Sequence, residues 1–360
     1  MSFRQFTAFT VVLVMIIAGF FDACGERRKI NRSKFDFTYQ DIDYQILSKE
    51  KKTVAVCQYS DNEFALFSRR TESQPGQKKK SRSKAWYPYH DITPNGHGMD
   101  WRNYCGRFLD IPQTVYDDND TAYTVTDLAD GAIDWVGIGI LVLPPTLERL
   151  NGGITGVDVN EIYLPEGLKE IDGIVYCPTL KSLHIPGKVE VIRSHSLSQC
   201  GFESLYLPPS VKILEDFVLA FCENLEVAKL SGVETMGKYC FKKCPSYTWA
   251  NLPETLRSMG EGCFDECPEL DLVSLPWSEI KMDGCFNGCP SISRIEVLAT
   301  DPYPFPKNSF RDVDRSSCII SVPKGSEEKY RNAVGWKEFQ NIVGELPALE
   351  KPKGGRLQRK

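Results

Sequence analysis

Apolar residues in the central half of the chain recur with a locked period. A Leu-Pro or Ile-Pro step stands at Leu143-Pro144, Leu164-Pro165, Ile185-Pro186, Leu207-Pro208, Leu252-Pro253 and Leu275-Pro276; Leu230-Ser231 fills the gap, and the series fades at Val297-Leu298. A second series keeps step with it: Cys177, Cys200, Cys222, Cys244, Cys267 and Cys289, spaced 22 or 23 residues apart. Three residues ahead of each cysteine lies an apolar residue: Ile174, Leu197, Leu219, Phe241, Phe264 and Phe286. Six consecutive units with fixed offsets exclude coincidence.

Each unit reads as one coil. The apolar pairs Ile162/Leu164, Leu183/Ile185, Leu205/Leu207 and Ile295/Val297 alternate with polar residues. That period of two predicts a short strand with one buried face. The proline that follows lacks an N–H and fixes φ, so it ends the strand. A second apolar pair comes next, as in Val211/Leu214 or Leu256/Met259, and the Phe and Cys positions close the coil. One coil alone buries too little apolar surface to offset the entropy of ordering it, so the coils must stack and share an interior. A period in the low twenties belongs to the leucine-rich-repeat class. The expected fold is therefore a leucine-rich-repeat solenoid, α/β in class but mostly β, built of stacked short parallel strands.

The unit LPETLRSMGEGCFDECPELDLVSLP, residues 252–276, resembles the BspA-like leucine-rich repeat of bacterial cell-surface proteins. Residues 35–56 resemble that family's opening hairpin, 111–132 its first complete unit, and 321–343 its terminal strand and helix. The likeness implies a β-rich N-terminal cap over 35–135, repeats over 136–323 and a helical C-terminal cap over 324–346. Within the helix, Ser326 is placed to N-cap and Glu327 and Glu328 suit the first turn. The stretch 60–101 departs from the pattern and reads as an insertion, and the basic stretch 347–360 reads as a disordered tail.

Strand alternation also nominates a surface. Residues between the buried positions form two outward columns. One runs Val142, Tyr163, His184, Tyr206, Lys229, Asn251, Ser274 and Glu296; the other runs Ile140, Glu161, Ser182, Ser204, Val227, Trp249, Leu272 and Arg294. With strands ~4.8 Å apart, Tyr163, His184 and Tyr206 are expected to form a contiguous ladder. Together with Trp249 they are the candidate partner-binding residues. Aromatic faces suit protein interfaces and also stack on sugars. Cross-strand packing on an exposed sheet is the competing reading.

The N-terminus changes the picture of where the protein works. Arg4 precedes an apolar run over residues 6–21, closed by Asp22-Ala23-Cys24. That is the pattern of a secretory signal over 1–23, followed by a linker over 24–34, and it falls short of the ~20 residues a membrane span needs. Phe21-Asp22-Ala23-Cys24 resembles a bacterial lipobox, although Asp22 stands where a small neutral residue is usual. Export to the cell envelope or surface is expected. Lipidation at Cys24 with membrane attachment is the expected outcome, with release as a free secreted form as the alternative.

Composition and charge then narrow the chemistry. The chain is 42% hydrophobic and 25% charged, as a folded domain is, and its net charge of −5 gives no reason to expect nucleic acid. A basic run, Lys78-Lys79-Lys80-Ser81-Arg82-Ser83-Lys84, stands beside Trp86, Tyr87 and Tyr89; it reads first as a solvated loop tip. Thirteen cysteines include Cys240/Cys244, Cys263/Cys267 and Cys285/Cys289 at CxxxC spacing. Their recurrence once per coil argues for buried small hydrophobes rather than metal ligands, with disulfides between coils or of Cys57 with Cys105 as alternatives. His90, Asp91, His97 and Asp100 cluster in the insertion without a recognised ligand spacing. No GxSxG, HExxH or GxxxxGK[ST] motif occurs, so no catalytic or metal site and no cofactor is expected. By the resemblance, the expected role is adhesion to host or bacterial surface proteins, with glycan binding or a purely structural envelope role as alternatives.

Overall fold

The computed structural model describes residues 35–40, 42–59, 107–134, 136–282, 284–305 and 307–347. The signal segment, Cys24, the linker, the 60–101 insertion with its basic run and histidines, Cys105 and the tail beyond 347 lie outside them. What is described is a mostly β solenoid of about 10 turns with very little helix.

The strand before each proline forms where the alternation calls for it, and successive strands pair in parallel. Glu161–Tyr163 pairs with Ile138–Val142, which pairs with Arg107–Asp110. Ser204–Tyr206 pairs with Val227–Lys229. Trp249–Asn251, Leu272–Leu275, Arg294–Val297, Ile319–Pro323 and Asn341–Leu346 then form one five-stranded parallel sheet in that order. After each strand the chain turns on a bond to the carbonyl at the proline position, as in Leu168 N–H to Pro165 O and Leu256 N–H to Pro253 O.

One expected strand is missing. Residues 181–185 adopt no strand, and pairing also lapses between Lys229 and Trp249. The interior stays continuous there: Leu183 and Ile185 remain buried, and Glu203 N–H still donates to Lys181 O at 3.0 Å. Side-chain stacking and the backbone pairing of Val191–Ile192 on either side carry the array through that coil.

The second apolar pair of each coil builds another parallel ladder. Its members are Glu170–Ile171, Val191–Ile192, Ile213–Leu214, Thr235–Met236 and Ser258–Met259. At the N-terminal end, Ile42–Ser48 and Thr53–Tyr59 form an antiparallel hairpin. It joins an eight-stranded sheet that includes Ile133–Asp134, Ile154–Thr155 and Ile174–Val175.

Interior positions repeat coil by coil. Phe241, Phe264, Phe286 and Phe310 stack with centroids 4.8, 5.3 and 5.0 Å apart. Eleven cysteines are buried free thiols, including both members of each CxxxC pair. From Cys222 onward the column thiols donate to a carbonyl one coil back: Cys222 to Leu197 O at 3.3 Å, Cys244 to Leu219 O at 3.2 Å, Cys267 to Phe241 O at 3.1 Å and Cys289 to Phe264 O at 3.1 Å. Cysteine thus fills a small apolar slot and satisfies a buried acceptor that alanine would leave unbonded. Burial pushes the Cys222 thiol up to about 12, well above its ordinary value.

The C-terminal helix, Glu327–Asn332, lies within the expected 326–332, but Ser326 makes no side-chain cap bond; its backbone sits in the helical region with its carbonyl taken by Tyr330 N–H. The chain then adds a further parallel strand, Asn341–Leu346, to the sheet. Between helix and strand, Trp336 is fully buried against Phe305 and Tyr330 and donates Nε1–H to Tyr303 O at 2.9 Å.

Candidate functional site

Because every strand before a proline buries its middle residue, the two flanking residues project outward. The pairing register aligns them as the alternation requires: Tyr163 with Val142, Tyr206 with Lys229, Ser204 with Val227, and Trp249 with Leu272 and then Arg294. On this face large apolar side chains stand open to solvent. Tyr163 is 53% exposed, Tyr206 60%, Val227 49% and Trp249 48%.

The candidate residues do not all come together. The strand break at 181–185 lies between Tyr163 and Tyr206, and no ring of Tyr163, His184 or Tyr206 stacks on another among the described residues. The Tyr163 hydroxyl turns back onto Glu161 Oε2 at 2.7 Å, and His184 Nε2 lies 3.8 Å from Glu166 Oε1. The expected contiguous ladder therefore fails at its centre. Exposed apolar side chains recur one step along, at Tyr206, Val227 and Trp249 on three successive coils, the first two on paired strands and the third beyond the second lapse in pairing.

Polar contacts fix the far half of the face. Trp249 Nε1–H donates to Ser274 Oγ at 3.1 Å, and Ser274 donates to Glu296 at 2.9 Å. Further on, Ser321 Oγ donates to Glu345 Oε1 at 2.6 Å, and Arg294 bonds both Ser321 and Glu345. The anchored indole keeps its orientation while its face stays open. Glu226 and Lys229, beside the strip, have no side-chain partner among the described residues.

A second aromatic series escaped the reading of the strands. On the turn edge, His195 and Phe217 stack at 4.8 Å, Phe217 lies 5.0 Å from Tyr239, and Lys242 sits 4.8 Å over the Tyr239 ring. All three ring-bearing residues have positive φ, and the column continues as Gly262 at φ +62. A Cβ on Gly262 would stand 2.3 Å from Tyr239 Cε1, so glycine there makes room for the ring. The signal was in the sequence, since each member lies five residues before a column cysteine. These rings are half-buried, and they close the turns rather than face outward.

Near this edge a groove of ≈ 410 Å³ is lined by residues including Phe221, Lys243, Pro245, Glu266 and Pro268. Two of its charges are paired, Lys243 lying 3.4 Å from Glu266 and 5.8 Å over Phe221, while Glu223 also lines it. Among the described residues no group of three His, Cys, Asp or Glu side chains could hold a metal ion, and no helix is long and apolar enough to cross a membrane.

The family model for a BspA type leucine rich repeat region matches in six copies, over residues 155–271 and 234–328. No curated protein matches the chain. Among solved structures, the chain is similar to a leucine-rich repeat protein from Bacteroides ovatus, with 16% identity, 88% of this chain and 90% of that chain covered and a TM-score of 0.46. It is also similar to the pneumococcal vaccine antigen PcpA, at 13% identity with 87% and 99% covered and a TM-score of 0.34. A leucine rich cell surface protein from Faecalibacterium prausnitzii matches at 14% identity, with 88% and 98% covered and a TM-score of 0.30.

Proposed function

We propose that the chain, whose residues 155–328 match the BspA type leucine rich repeat region, is an exported binding scaffold, not an enzyme, that engages a protein partner through the outward face of its repeat sheet. One observation carries the reading. Tyr206, Val227 and Trp249 leave about half or more of their surface in water on three consecutive coils, while the middle residues of the same strands, Leu205, Ala228 and Ala250, are buried. Contiguous exposed apolar surface on a folded chain marks an interaction site more often than chance placement does. Tyrosine and tryptophan are also the residues that dominate the energetics of protein interfaces.

Export follows from the sequence pattern: Arg4, the apolar run over 6–21 and the Cys24 junction together suit delivery to the envelope or surface. In this reading Cys24 carries a lipid anchor, and adhesion to host or bacterial surface proteins is the activity. Loss of acyl labelling in a Cys24→Ala variant checks the anchor.

The binding face is tested by replacing Tyr163, His184, Tyr206 and Trp249 with alanine and measuring retention on immobilised host matrix proteins and glycans. The expected outcome is a folded chain with loss of protein binding of about tenfold or more, the scale of one or two interface anchors. Unchanged retention by a folded variant would remove the face from consideration. Retention of the parent chain on glycans alone would favour a carbohydrate ligand.

A further inference from the structure

We infer that the outward strip takes an extended, cationic polypeptide segment, an inference that rests on the proposed use of this face for binding. The strip is Tyr206, Val227 and Trp249, exposed on three successive coils, the first two on paired strands. Along the side where the strands begin, each coil contributes the residue one position ahead of the strand. These are Lys181, Glu203, Glu226, Thr248 and Asp271, so carboxylates flank the strip on the coils of Tyr206, Val227 and Leu272. All three carboxylates are exposed.

Their engagements leave charge to spare. Glu203 is bridged by Lys181 at 2.7 Å, but both groups are more than half exposed, and such a pair is weak in water. Asp271 only accepts from Ser293, and Glu226 has no side-chain partner among the described residues. Lys229 is the one cation inside the strip, and it is unpaired in the same sense. Two coils before Tyr206, beyond the 181–185 break, Glu161 accepts from Tyr163.

A row of carboxylates beside a row of ring faces is the arrangement that holds guanidinium and ammonium groups. The carboxylates supply charge, the rings supply cation–π contact, and Val227 supplies an apolar seat for the aliphatic stems. Trp249 is suited to this role because its N–H is already committed to Ser274, leaving the face of the indole as its contact surface. An anionic polymer would meet like charge along the same edge.

The experiment measures binding of fluorescent peptides to the full chain. The probes are a peptide alternating arginine with glycine, its glutamate counterpart, a heparin oligosaccharide and a neutral glucan oligosaccharide. The expected result is binding of the arginine peptide alone, weakened several-fold between about 50 and about 300 mM salt. The double variant Glu203→Lys/Glu226→Lys and the double variant Tyr206→Ala/Trp249→Ala should each cost about tenfold. A Glu190→Lys/Glu234→Lys control, equal in charge change but placed ahead of strands of the second ladder, should cost less than about twofold, and Lys229→Glu should tighten binding. Circular dichroism establishes that each variant is folded.

Equal losses in the control would overturn the inference by showing diffuse charge attraction. Preference for heparin or the glucan, lost on removing the two aromatic residues but not on charge reversal, would overturn the cationic partner while keeping the face. Indifference of every probe to the aromatic pair would overturn both.

Discussion

At the scale of single residues, the column cysteines do more than fill space. Cys222, Cys244, Cys267 and Cys289 each present a thiol to a carbonyl of the preceding coil, in positions fully removed from water. Cys267→Ala removes the donor to Phe241 O and leaves a buried acceptor unbonded, which costs about 1–3 kcal/mol. Denaturant unfolding of the variant should show that loss with an unchanged slope. The thiols also set a pH response. Burial raises the folded Cys222 value from 9.0 to about 12, and Cys200, Cys244, Cys263 and Cys267 move in the same direction. A folded value above the unfolded one means that the stabilisation is complete below the unfolded value and is lost as pH rises toward the folded one. The unfolding midpoint should therefore hold steady up to about pH 8 and fall between about 9 and 12. A midpoint unchanged at about pH 11 would mean that the thiols are not sequestered.

At the scale of the coil, the phenylalanine column explains why the later repeats are so regular. Phe241, Phe264, Phe286 and Phe310 lie nearly parallel, with 14°, 3° and 5° between successive ring planes. Phe264→Ala opens the middle of that stack and should cost about 3–5 kcal/mol. Phe264→Leu should cost less than about 1.5 kcal/mol, because Leu197 and Leu219 already occupy the same column in earlier coils. Chemical denaturation of the two variants measures the contrast, and equal losses would show that the column is not a shared slot.

The coil was legible in the sequence because burial repeats: Ile162, Leu183, Leu205 and Ile295 alternate with exposed neighbours, and the structure buries all four. Cap geometry was not legible. Ser326 has the right chemistry for an N-cap, but its helical backbone turns the side chain away from the first turn. The candidate site was legible in part. Alternation put Tyr163, Tyr206 and Trp249 outward, yet it could not foresee that residues 181–185 would forgo the strand and set His184 apart. Periodicity reports which residues are buried, whereas backbone pairing depends on how each turn delivers the next strand. The His195, Phe217 and Tyr239 column was hidden for a related reason, since its left-handed backbone lies outside both strand and helix periods.

At the scale of the whole molecule, stability is shared between neighbouring coils, as in any quasi-one-dimensional array. The account's central claim is that the leucine and cysteine columns line one continuous interior. It is tested most directly by alkylating the chain with iodoacetamide, with and without denaturant, and mapping the modified cysteines by peptide mass. The eleven thiols from Cys57 to Cys318 that the structure buries should stay unmodified in the folded chain and all react once it is unfolded. Rapid labelling of Cys222, Cys244 or Cys267 in the native protein would contradict the shared interior.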